Sequence, residues 1–160
     1  MPVYQLLGGK IHEEVRIYAD SHAGENISSV TPMLEQRIPR WMKPGEGERP
    51  PEIYMPEAYA KRAKAVVAKG FDAIKFDLDY IVVPPGDEWH HSLTNAEIEQ
   101  MGEVSHATRE AVGNDIDIAW DCHWRFRPAD AIRIAHAIAG SNPFWLEDPC
   151  PPKNWRHMQR

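Results

Sequence analysis

Between residues 57 and 147 the hydrophobic pattern changes period repeatedly, and that alternation limits the folds open to the chain. Tyr59, Ala63, Val66 and Val67 recur at i, i+4, i+7 and i+8, one face of a helix, with Gly70 following as a stop. "FDAIKFD" (71–77) then alternates with the period of a strand. Thr94-x-x-Glu97 reads as a capping box opening a second helix with Ile98, Met101, Thr108 and Val112 on one side, closed by Gly113. "DIDIAWD" (115–121) alternates again. Pro128 suits the first turn of a third helix, lined by Ile132, Ala135 and Ala139 and ended by Gly140, before "PFWLED" (143–148). Upstream, "EVRIYADS" (14–21) reads as one more strand after a Gly8-Gly9 turn. Strand and helix in strict succession predict an α/β fold with a parallel sheet. A Pro, Gly and Glu-rich stretch, "MKPGEGERPPE" (42–52), predicts an exposed loop over roughly residues 21–56.

Strand parity sorts the side chains. Ile116, Ile118 and Trp120 share one face of their strand, with Asp117, Ala119, Asp121 and His123 on the other. Ile74 and Phe76 oppose Ala73, Lys75 and Asp77; Phe144 and Leu146 oppose Trp145 and Glu147. The apolar sets suit packing under helices, so ionisable groups from neighbouring strands converge on the opposite face at the strand ends. Asp121 and Glu147, one βα unit apart, would offer oxygen ligands to one hard cation, a donor set that suits Mg²⁺. Taken singly, each acid is as readily a cap or half of a salt bridge.

Composition excludes other classes. The 160 residues carry a net charge of -6 and no basic patch, which argues against nucleic acid as a partner. No apolar run is long enough to span a bilayer, and the N-terminus lacks the pattern of a signal peptide, so a cytoplasmic protein is expected. Cys122 and Cys150 form no CxxC pair and are expected to be reduced, half-buried residues. A zinc site from Cys122, His123 and Cys150 is disfavoured, because on a strand Cys122 points away from His123.

The ordered set "AIKFD", "DCHWRF" and "FWLEDP", with "LLGGK" and "VRIYAD" upstream, resembles the enolase superfamily, in its mandelate racemase and muconate lactonizing enzyme branch, and within that the acid-sugar dehydratases. The resemblance implies a partial (β/α)8 TIM-type barrel of about four βα units. Residues 1–160 would be the N-terminal half of the barrel domain, without the capping domain or the C-terminal half, since a whole barrel takes roughly 250 residues. It implies a carbon–oxygen lyase that removes the proton α to the carboxylate of a sugar acid and expels the β-hydroxyl, with Mg²⁺ as cofactor. Asp121 and Glu147 match its metal ligands, with Asp148 supporting them. His123 matches the acid that protonates the leaving hydroxyl, and Lys75 a catalytic or substrate-binding electrostatic partner.

Around these, Asp77, Trp124, Arg125, His90 and His91 are expected to contact substrate, although Arg125 and Arg127 equally suit pairing with Asp130. His12, His22, His106 and His136 read as solvated or packed. The family's Lys-x-Lys is here Lys75-Phe76-Asp77, which favours dehydration over racemisation or epimerisation. The remaining ligand and the base would come from later strands. Alone, the chain is expected to turn over little or nothing; a non-catalytic remnant is the other reading. The full-length form is expected to be a homo-oligomer.

Overall fold

The computed structural model describes residues 1–21, 54–81 and 92–151. A short helix α1 (Val3–Leu6) precedes β1 (Ala19–Ser21); then follow α2 (Pro56–Val67), β2 (Ala73–Asp77), α3 (Asn95–Val112), β3 (Asp117–Asp121), α4 (Pro128–Ile138) and β4 (Trp145–Glu147). Single 3₁₀ turns span Asp79–Ile81 and Ala139–Ser141. The strands form one four-stranded sheet in the order β1-β2-β3-β4, every pair parallel. This is the expected α/β arrangement.

One face of the sheet carries the core. Register sets Ile74 beside Ile118, and Phe76 beside Trp120, which in turn pairs with Leu146. Tyr59 from α2 meets Phe76 edge to face at 5.4 Å, and Phe76 lies 5.7 Å from Trp120. Ala63, Val66, Met101, Val104, Ile134 and Ile138 close the layer from the three long helices. Phe76 is wholly buried here, and truncating such a side chain to Ala costs about 3–5 kcal/mol.

The local signals act as their chemistry requires. The Thr94 hydroxyl accepts from the Glu97 backbone N–H while the Glu97 carboxylate accepts from the Thr94 N–H, so both halves of the capping box form. Gly113 ends α3 at φ 78, a conformation that a side chain disfavours. The expected loop before α2, with His22, falls almost wholly within residues 22–53, and His90 and His91 within 82–91, both outside the described residues.

Four local expectations need correction. The first strand is three residues long, not eight, because Ala19 already pairs with Ile74 and β2 begins at Ala73, leaving residues 14–17 no strand to face. The buried stripe of α4 is Ala131, Ile134 and Ile138, whereas Ile132, Ala135 and Ala139 face solvent. Gly140 does not close that helix: the chain continues through the 3₁₀ turn to Asn142, which adopts the left-handed conformation. Gly140 instead allows a close approach, since a Cβ there would lie 2.7 Å from His106 Cε1. Phe144 precedes β4 and is 61% exposed rather than packed under helices.

Candidate functional site

The opposite face of the sheet is polar, and register orders it into rows. Asp20 sits beside Lys75, and two residues further along the strands Asp77, Asp121 and Glu147 stand side by side on β2, β3 and β4. Three acids thus share one row at the C-terminal ends of parallel strands, where α/β folds place their ligands.

Lys75 neutralises part of this row. Its Nζ donates to Asp121 Oδ2 at 3.0 Å and lies 3.3 Å from Glu147 Oε2, with Asp121 and Lys75 both nearly buried. Burial disfavours the ammonium, but the hydrogen bond to Asp121 and the charges of Asp121, Glu147 and Asp20 outweigh it and raise the Lys75 pKa. Tyr18 lies under the ammonium at 5.8 Å and stacks edge-on against Trp145, whose Nε1 donates to Glu147 Oε2 at 3.1 Å.

Past Asp121 the chain turns sharply. Cys122 points into the core, and His123 and Trp124 adopt left-handed backbone conformations at φ 47 and 59. Asp148, at φ 44, makes the matching turn after β4, and its backbone oxygen accepts from the Trp124 N–H at 2.7 Å. Such conformations in non-glycine residues are strained and concentrate at functional sites. The turn is tied at its base by the His123 N–H, which donates to Asp121 Oδ1 at 3.0 Å.

His123 leaves the strand yet returns to the polar face. Its Nε2 lies 3.8 Å from Asp121 Oδ2 and 3.9 Å from Asp77 Oδ1, while Nδ1 is 3.1 Å from Asp79 Oδ1. Burial opposes its charged form, but the hydrogen bond to Asp79 and the charges of Asp79, Asp121 and Asp77 prevail, raising its pKa to about 9. Asp79, on the turn after β2, is wholly buried and also meets Arg125 Nε at 2.6 Å. That contact lacks hydrogen-bond geometry, so Asp79 Oδ2 is held by charge alone. Burial raises the Asp79 pKa, with His123 and Arg125 pulling against it.

One atom each from Asp77, Asp121 and His123 lie within 4.8 Å of one another, a set that could hold a metal ion. Glu147 joins through the shared cation, since Lys75 brings its oxygen and that of Asp121 to a single positive point. Carboxylate oxygens dominate the cluster, which fits a hard divalent ion. Neither cysteine belongs to it, and both are buried and free, so the zinc alternative has no footing among the described residues.

Of the residues read from the sequence, Lys75, Asp77, Asp121, His123 and Glu147 meet at this face, with Trp124 and Asp148 on the adjoining turns. Arg125 does not pair with Asp130: it binds Asp79, while Asp130 is taken by Arg133 at 2.8 Å and the Leu93 N–H. Asp79, Tyr18 and Trp145 were not singled out by the sequence. Asp79 had a visible signal, because it follows Asp77 by two residues and keeps its parity.

Residues 58–160 match the model of the enolase C-terminal domain-like family. The chain belongs to that family. Among curated relatives, D-xylonate dehydratase of Haloferax volcanii is 37% identical over 158 residues, covering 96% of this chain and 31% of that protein. D-gluconate dehydratase of Thermoproteus tenax is 33% identical over 92% of this chain and 23% of its own length. The chain therefore spans a third or less of these relatives. A mandelate racemase/muconate lactonizing enzyme-like protein from Rubrobacter xylanophilus superposes with a TM-score of 0.71 at 36% identity, over 98% of this chain and 37% of that one. No helix among the described residues is long and apolar enough to cross a membrane.

Proposed function

We propose that residues 1–160 form the N-terminal half of an enolase-type (β/α)8 barrel in a Mg²⁺-dependent sugar-acid dehydratase, with Asp121 and Glu147 holding the metal. The observation that carries this is the convergence of both carboxylates on one cationic point, at strand ends in a chain whose relatives bear dehydratase names. Mg²⁺ bound there would neutralise the negative charge that builds on the substrate carboxylate as the α proton leaves.

The chain's own residues supply the rest. Lys75 offsets charge beside the metal ligands and draws the carboxylate of the substrate toward the row. As the α C–H bond breaks, its proton passes to a base other than the residues named above, and its electron pair delocalises into the substrate carboxylate. That pair then returns to form the Cα–Cβ double bond as the β C–O bond breaks, and His123 Nε2 delivers its proton to the departing hydroxide, which leaves as water. The resulting enol tautomerises to a 2-keto-3-deoxy acid. Asp77 stands where a second lysine would act as base in racemases of the superfamily, and Phe76 is committed to the core, which favours dehydration over racemisation or epimerisation.

A chimera tests the reading. Residues 1–160 replacing the matching segment of the Haloferax volcanii relative should give Mg²⁺-dependent release of 2-keto-3-deoxy acid from xylonate, gluconate or galactonate. His123→Asn in that chimera should reduce the rate by on the order of 10² or more. A folded chimera indifferent to His123 would contradict the assignment.

A further inference from the structure

The row of acids explains how charge is gathered, but not what aims the imidazole of His123. His123 sits on consecutive left-handed residues beyond its strand, and backbone conformation by itself does not determine which ring nitrogen faces the polar side. The fixing element comes from another strand. Asp79, two residues past the end of β2 on the 3₁₀ turn Asp79–Ile81, is wholly buried and reaches His123 Nδ1 at 3.1 Å. Arg125 Nε, from the far side of the same β3 turn, stands 2.6 Å from the second oxygen of Asp79.

We infer that Asp79 is a positioning residue for His123, held as a buried carboxylate by Arg125 and fixing the ring so that Nε2 alone faces Asp77, Asp121 and the substrate. This rests on the role proposed above for His123. A carboxylate only accepts, so its partner Nδ1 must carry a proton. The ring is then locked in one orientation with Nδ1–H spent on Asp79, and the nitrogen left to exchange a proton with substrate is Nε2, 3.8 Å and 3.9 Å from Asp121 and Asp77. Arg125 thereby supports the acid through Asp79. The arrangement also accounts for a fully buried acid so near other carboxylates: its charge is matched by groups from the turn it orients.

Long-range ¹H–¹⁵N correlation of the histidine rings in the 160-residue chain tests this without turnover, so its result is independent of whether the parent is a dehydratase. The expected result is a protonated, slowly exchanging Nδ1 on His123, with the downfield proton of a hydrogen bond to a carboxylate, while the exposed His106 and His136 exchange freely. Asp79→Asn should abolish that downfield signal and leave His106 and His136 unchanged, and Arg125→Gln should weaken it. Asp79→Glu should restore it in part. An unprotonated or freely exchanging Nδ1 in the unsubstituted chain would overturn the inference whatever the variants do, as would an Asp79→Asn chain that keeps the signal.

Discussion

Lys75 Nζ lies 3.0 Å from Asp121 Oδ2, and the two side chains are only 11% and 7% exposed. An ion pair this enclosed is costly to break from one side, because the remaining charge is left in a medium that solvates it poorly. Lys75→Met should therefore destabilise the metal-free chain by about 3–5 kcal/mol. Removing the ammonium also clears the point where the Asp121 and Glu147 oxygens converge, so Mg²⁺ should restore more stability to the variant than to the unsubstituted chain. Urea unfolding with Mg²⁺ and with chelator measures both effects. Equal Mg²⁺ stabilisation of the two proteins would mean that lysine and metal do not share the site.

The pH dependence of the metal-free chain follows from His123. Its pKa rises from the ordinary 6.5 to about 9 on folding, so the protonated ring favours the folded state. That contribution is complete below pH 6.5 and is lost as pH rises through 9, at no more than about 1.4 kcal/mol per pH unit. Unfolding in chelator between pH 6 and 9.5 should show a decline that His123→Gln flattens. Stability that climbs across this window would contradict the charge balance around Asp77, Asp79 and Asp121.

At the fold level, Thr94→Ala removes one half of the capping box of α3 and should cost about 1 kcal/mol in thermal or chemical unfolding. Thr94→Ser should recover most of it, because the hydroxyl that accepts the Glu97 N–H returns.

The sheet and most of its polar face were legible because a strand has a period of two. Once Ile74, Phe76, Ile118 and Trp120 were assigned to a helix-covered face, Lys75, Asp77 and Asp121 had to share the other. The same reasoning failed where the pattern does not discriminate. Helix α4 is apolar on nearly all sides, so Ile132, Ala135 and Ala139 looked as good a stripe as Ala131, Ile134 and Ile138; the burial of Ile134 and Ile138 in the core decides it. Phe144 falls outside the alternation because β4 begins only at Trp145. The link from Asp79 to His123 spans 44 residues and depends on a left-handed turn, and no local period encodes such a contact.

In the proposed function Asp121 and Glu147 act together on one divalent ion. Calorimetric titration of Mg²⁺ into the 160-residue chain, beside Asp121→Asn and Glu147→Gln, tests it most directly. Saturable binding of one ion per chain is expected, and each substitution should abolish it while the fold is retained. Binding indifferent to both substitutions, or none in a folded chain, would contradict it.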